Sequence, residues 1–69
     1  NDVMITDAGV GALVALAGVK GAAYNARINL KSIKDPEFVA RVGAEIAHLL
    51  DESRSMADLV EREVERVVG

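Results

Sequence analysis

Seven side chains in this sequence are chemically equipped to act on a ligand. They are Asp7, Tyr24, Asn25, Arg27, Asn29, Lys31 and Lys34, and all but Asp7 fall within eleven consecutive residues. One carboxylate, one phenol, two carboxamides and three cations make a set for proton transfer, neutral hydrogen bonding and anion contact. Other chemistries lack their parts. There is no cysteine and a single histidine, His48, so a thiolate or multi-histidine metal site has no ligands and no metal is expected. Ser32, Ser53 and Ser55 have no base at a recognisable spacing, which leaves a hydrolytic triad unsupported. The glycines are spread through an apolar stretch rather than gathered in a phosphate loop. His48 sits between Ala47 and Leu49 and reads as an exposed helix histidine. The candidates have structural uses too: Asn29 ending a helix, Arg27 pairing with an acid, Tyr24 filling core with its hydroxyl at the edge.

Two helices must position these groups. The first is expected from Thr6, as N-cap, to about Asn29, with Asp7 in the first turn where the helix dipole favours an acid. Its apolar residues lie all round the axis, the pattern of a helix buried on most sides. Gly11, Ala15, Gly18 and Ala22 follow steps of four, three and four along one stripe. Extended, the stripe meets Asp7 at one end and Asn25 and Asn29 at the other. Such a stripe suits a tight helix–helix seam, or close approach of a flat ligand, and its polar members are candidates for burial with hydrogen-bond partners. At 1.5 Å per residue Asp7 and Asn29 lie about 33 Å apart, so within one helix they serve different sites unless a neighbouring subunit brings the far end round. Asn25 and Asn29 are one turn apart and can share a site.

Residues 30–35 form the turn. Asp35 is a strong N-cap and Pro36 suits the first helical position, where its missing N–H costs nothing. The second helix is expected over about 36–68. Its apolar spine is Val39, Val42, Ile46, Leu49, Met56, Val60, Val64 and Val67, with Ser53 taking one spine position. The opposite face is charged, and no chemistry is expected there. The fold class is all-α: residues 1–69 form two long antiparallel helices, part of a larger or oligomer-completed bundle.

Composition limits the partners. Apolar residues make up 51% of the 69, aromatics 3%, and the net charge is −3 with both signs interspersed, so no basic face favours nucleic acid. Residues 8–19 carry no charge but fall short of the ~20 that span a bilayer, and no basic leader precedes them. The expectation is a cytoplasmic protein with no membrane partner. Sixty-nine residues also lie near the lower edge for an independent domain. The start at Asn1 reads as the C-terminal part of a longer protein.

The stretch Tyr24-Asn25-Ala26-Arg27-Ile28-Asn29-Leu30-Lys31, followed by Asp35 and Phe38, resembles the formiminotransferase-cyclodeaminase C-terminal domain family, which includes methenyltetrahydrofolate cyclohydrolases. Asn1 and Thr6-Asp7-Ala8-Gly9-Val10 fit the same pattern upstream. Ala26 departs from the valine expected there, a change of packing rather than chemistry. The likeness covers this chain but only the last third of the family's domain, and a Ser/Gly-rich segment of its N-terminal helices is absent. The resemblance implies a parent enzyme, a lyase or hydrolase of folate one-carbon metabolism, acting as cyclodeaminase or cyclohydrolase. It implies a folate substrate and no cofactor beyond tetrahydrofolate itself. Asp7, Asn25 and Asn29 become the catalytic candidates; Tyr24, Arg27, Lys31 and Lys34 become the substrate-binding ones. The isolated chain is expected to be inactive and to pack on the missing helices or form a homodimer. The alternative is a non-catalytic helical oligomerisation module, or a degenerate remnant of the fold.

Overall fold

The structure, a computed structural model, describes residues 2–69; Asn1 lies outside them. Two helices account for nearly all of it: α1, Asp2–Leu30, and α2, Pro36–Val68. They run antiparallel as a hairpin with extents of 51 × 15 × 13 Å.

Each helix end has a local cause. α1 starts at Asp2, so the N-cap expected at Thr6 is not formed. The Thr6 hydroxyl turns back instead, donating to the carbonyls of Val3 at 2.9 Å and Asp2 at 3.1 Å. That satisfies the hydroxyl inside the helix and leaves the turn before it free to wind. Asp2, not Asp7, is the acid of the first turn. At the other end the Ser32 and Ile33 amides donate to the carbonyls of Asn29 and Leu30 at 3.2 and 3.1 Å, and the Ser32 hydroxyl also donates to Asn29 at 2.9 Å. These three-residue closures use carbonyls that a helix end otherwise leaves open. Asp35 then takes an extended backbone (φ −114°, ψ 99°) and its carboxylate accepts from the Phe38 amide at 3.2 Å, with Pro36 at the start of α2. Gly69 closes α2 in the left-handed region (φ 79°), its N–H donating to Glu65 at 2.9 Å.

The seam between the helices differs from the one the sequence suggested. Along α1 the buried and half-buried positions include Ile5, Gly9, Ala12, Leu16, Val19, Ala23, Ala26 and Leu30, at alternating steps of four and three, with Thr6 and Lys20 half-buried beside them. The Gly11–Ala15–Gly18–Ala22 stripe lies about 100° round the helix and is exposed, as are Asp7, Asn25 and Asn29. The reason is volume. The seam carries Ile5, Leu16, Val19 and Leu30, whose burial has a hydrophobic return that the small-residue stripe lacks. Of the glycines, only Gly9 is used for close approach: a Cβ there would lie 2.8 Å from Val64 Cγ2, whereas nothing stands within 4 Å at Gly11, Gly18 or Gly21.

On α2 the spine keeps Val39, Val42, Ile46, Ser53, Val60, Val64 and Val67 but shifts by one at two places. Leu50 and Ala57 are buried (4% and 3% exposed), whereas Leu49 and Met56 are 56% and 67% exposed. Alternating steps from Ile46 lead to 50, 53, 57 and 60, which is the seam that faces one partner over several heptads. Leu49 and Met56 fall on its flank. The charged side carries short-range pairs, Arg41–Glu45 at 3.9 Å, His48–Glu52 at 2.8 Å and Arg54–Asp51 at 3.9 Å, with the Arg41 guanidinium 5.3 Å from the Phe38 ring centroid. His48 is thus an exposed helix residue. Exposed Arg–carboxylate pairs at these spacings stabilise a helix by about 0.2–0.5 kcal/mol.

Two helices bury little. Val10, Leu13, Val14, Tyr24, Ile28, Leu49, Met56 and Leu59 all remain exposed. By length and composition α1 could cross a bilayer, a property shared by core helices of soluble proteins.

Candidate functional site

The candidates near the turn are set by the last two turns of α1. Asn25 and Asn29 are separated by one turn and share a face, both exposed. That face continues the small-residue stripe, so a ligand or helix lying along Gly18 and Ala22 would reach the two carboxamides without obstruction. Arg27 lies about 200° round the axis from either asparagine at 3.6 residues per turn. Tyr24, 67% exposed, lies about 100° from Asn25. Lys31 and Lys34 follow in the turn, exposed. The carboxamides are therefore brought together, while Arg27 and Tyr24 look out over other sides of the same helix end. Asp7 stands at the far end of α1, on the stripe but about 33 Å away.

None of these seven side chains makes a hydrogen bond or ion pair with a described residue. This separates their structural uses. Arg27 is not held by an acid, and Tyr24 is not core. Asn29 does help end α1, but through its backbone carbonyl, which accepts from Ser32; its side chain is left over. The electrostatically coupled pair is elsewhere. Arg66 donates to Glu63, with Nε to Oε2 at 3.0 Å and a second, shorter contact from Nη2 to Oε1. That hydrogen bond holds the Glu63 carboxyl below its ordinary value and raises Arg66. Among the described residues no group of three or more metal-ligating side chains converges.

The grooves along the hairpin are open to solvent, including one of about 480 Å³ on the charged side of α2 beside His48, Asp51 and Glu52. Two lie on the stripe side, of about 290 and 280 Å³, one lined by Ala22 and Leu49 and the other by Ala15 and Met56 from the two helices. They are almost wholly apolar. Sequence reasoning missed that Leu49 and Met56 border the stripe, because it placed both in the intrachain spine; the signal was the alternation of three and four that runs through Leu50 and Ala57. Another, about 440 Å³, lies at the open end between Thr6, Gly9, Leu13, Glu61, Val64 and Glu65. Its two carboxylates, Glu61 and Glu65, are one turn apart on α2.

The stretch bearing the two carboxamides also carries the likeness to known proteins. A family model described as formiminotransferase-cyclodeaminase matches residues 1–48. The chain belongs to the formiminotransferase-cyclodeaminase family. No curated protein and no solved structure matches it. The family match spans all of α1, the turn and the start of α2, so every candidate from Asp7 to Lys34 lies inside it. It stops at His48, leaving outside it the α2 segment that carries Leu50, Ala57 and the Glu63–Arg66 pair. Membership in this cyclodeaminase family places the chain among folate-metabolism enzyme domains.

Proposed function

We propose that the chain forms the C-terminal hairpin of a tetrahydrofolate cyclodeaminase or methenyltetrahydrofolate cyclohydrolase, and that Asn25 and Asn29 face the folate. The observation that carries this is the family match over residues 1–48 together with the two unpartnered, co-facial carboxamides inside it. In the cyclodeaminase reaction a folate nitrogen attacks the formimino carbon, and the tetrahedral adduct expels ammonia to leave methenyltetrahydrofolate. In the cyclohydrolase reaction water adds to the methenyl carbon, a carbon–nitrogen bond breaks, and formyltetrahydrofolate results. Both pass through a tetrahedral carbon and require a proton to move on nitrogen or oxygen, without a redox partner.

The residues suit that chemistry as follows. A carboxamide donates through its N–H₂ and accepts through its oxygen, so Asn25 and Asn29 match the pterin amide or charge developing at the tetrahedral carbon. Lys31, Lys34 and Arg27 present cations for the folate carboxylates, Arg27 with a fork for a bidentate pair. Asp7 can carry a proton but only where another element folds it against the carboxamides. A pocket for such a ligand buries about 70–90% of a drug-sized molecule, whereas the hairpin's grooves are open along their length. Other walls are therefore part of the working site, and the chain alone is inactive.

The test is to follow near-ultraviolet absorbance of methenyltetrahydrofolate with the 69-residue chain and with a longer protein containing it. Methenyl formation from the formimino compound identifies the cyclodeaminase; methenyl loss identifies the cyclohydrolase. Asn25→Ala and Asn29→Ala in the longer protein should each depress turnover by roughly 10²-fold or more, the scale of losing a transition-state hydrogen bond, with little change in Tm. Lost stability with intact turnover would assign both to structure, and a longer protein that turns over neither compound would remove the folate reading.

A further inference from the structure

One side of α1 is basic, and α2 does not neutralise it. Lys20, Tyr24, Arg27 and Lys31 follow steps of four, three and four, which sets them in a single row along the second half of the helix and into the turn. Thr6, Leu13, Lys20 and Arg27 recur every seven residues, about two turns. The row therefore continues the edge of α1 that borders the open-end groove with Glu61 and Val64. The same period on α2 leads from Glu61 back to Arg54, Ala47 and Ala40. Counted along both helices from the close approach of Gly9 to Val64, Arg27 lies level with Ala47 and Lys31 with Gly43. What α2 sets beside these cations is thus a shelf of Ala40, Gly43 and Ala47, without a carboxylate. A Cβ at Gly43 would meet nothing within 4 Å. Among the described residues, none of Lys20, Arg27 and Lys31 is in an ion pair. Next to the row Tyr24 and Ile28 stand 67% and 61% exposed.

We propose that this row docks an acidic amphipathic helix of a separate protein, its carboxylates on Lys20, Arg27 and Lys31 and its apolar edge over Tyr24 and Ile28. Spacing selects a helix. The three cations stand about 10.5 and 6 Å apart along the axis at 1.5 Å per residue. A second helix has the same rise, so acids at steps of seven and four meet all three. Residue type suits an anchor, since tyrosine and arginine are among the types that carry most binding energy at interfaces. The small side chains of the shelf let the partner's backbone come close to α2. The far end of the same side sets the partner's length. Asp58, Glu61 and Glu65 lie there. A nucleic acid or an anionic bilayer running the 51 Å hairpin meets repulsion at that end, whereas an acidic helix of about three turns stops short of it.

Docking here is independent of the folate reading. Arg27, in the middle of the row, lies about 200° round α1 from Asn25 and Asn29, so a helix on the row leaves the carboxamide flank open. Arg27 and Lys31 are also among the cations suited to folate carboxylates. Lys20 belongs to the docking row alone, and a substitution there separates the two readings.

The probe is a helix-stapled peptide of about 15 residues, stapled because free helices of that length are marginal in water. It carries glutamates at steps of seven and four with leucines beside them, and its control has glutamine at each glutamate. Titrated against the 69-residue chain at low salt and without folate, the glutamate peptide should bind with a Kd below about 100 µM. The largest amide shifts by NMR should fall at Lys20, Tyr24, Arg27 and Lys31. The glutamine control, and the glutamate peptide with Lys20→Glu, should each bind roughly tenfold more weakly or worse. Lys20 is half-buried, so Lys31→Glu, at an exposed position, serves as the second variant should Lys20→Glu lose helicity by circular dichroism. Equal binding of the two peptides, shifts confined to the carboxamide flank, or wild-type affinity in Lys31→Glu would each overturn the proposal. Tighter binding of a single-stranded oligonucleotide or of phosphatidylserine vesicles would do the same. A longer protein containing the chain should also take the peptide; if only the 69-residue chain does, the row is covered within the longer protein and the separate partner falls.

Discussion

Gly9 provides the sharpest test of how the hairpin is held. Replacing a helix-interior glycine with alanine ordinarily stabilises by about 1 kcal/mol, because the glycine backbone loses more freedom on folding. At Gly9 the new Cβ would lie 2.8 Å from Val64 Cγ2, closer than carbon atoms tolerate. Val64 is β-branched and strongly restricted to one χ1 rotamer in a helix, so it has little room to swing aside. The helices must part locally, and overpacking of this kind costs about 1–3 kcal/mol. The net effect of Gly9→Ala is thus a destabilisation of about 1 kcal/mol. Gly21→Ala meets nothing within 4 Å and keeps the whole gain. The two substitutions should therefore differ by about 2 kcal/mol, roughly 8–16 °C in Tm for a chain of this size. Thermal melts followed at 222 nm at one fixed concentration would measure it. Adding Val64→Ala to Gly9→Ala should recover the clash term, visible as non-additivity in the four-variant cycle. If Gly9→Ala stabilises as much as Gly21→Ala does, the Gly9–Val64 approach does not hold the helices, and the seam drawn through Gly9 is wrong.

Three further outcomes follow from the packing and the caps. Leu50→Ala should cost about 2–5 kcal/mol by urea denaturation, whereas Leu49→Ala in the monomeric hairpin should change stability by less than about 0.5 kcal/mol; equal effects would restore Leu49 to the intrachain spine. Asp35→Ala removes the acceptor of the Phe38 amide and should cost about 1 kcal/mol, with Asp35→Asn nearly neutral because asparagine caps as well. Glu63 should titrate below its ordinary value of 4.5 by carbon-detected NMR, since Arg66 hydrogen-bonds its ionised form, and Arg66→Gln should move the midpoint back up. A carboxyl depressed in the folded chain releases its proton more readily there than when unfolded. Its contribution is therefore present above the unfolded value and lost as pH falls through the folded one, so any loss from this pair belongs to the acid side, below about pH 4.5.

The sequence by itself determined the two-helix character, the stop near Leu30 and the start at Pro36, because those depend on groups a few residues apart. Asp35 and Pro36 cap and open α2 in any context, and the segregated apolar face of α2 leaves one side to pack. The stretch from Tyr24 to Lys31 likewise carried the family in its order of residue types. Tertiary structure alone decided which side of α1 meets α2. Ala, Gly, Val and Leu surround that helix, so several faces satisfy the apolar period equally, and a rotation of about 100° exchanges one small-residue stripe for another. The choice is made by volume across the seam: Leu16, Val19 and Leu30 fill it, and Gly9 yields space to Val64. The same cause explains the one-residue shifts at Leu49 and Met56. Each has an apolar neighbour, Leu50 and Ala57, and only the twist of the facing helix distinguishes them. Asn25 and Asn29 were legible as a co-facial pair from their spacing. That they stand exposed and without partners, with Asp7 at the far end of the same open stripe, followed only once α2 had taken the other face.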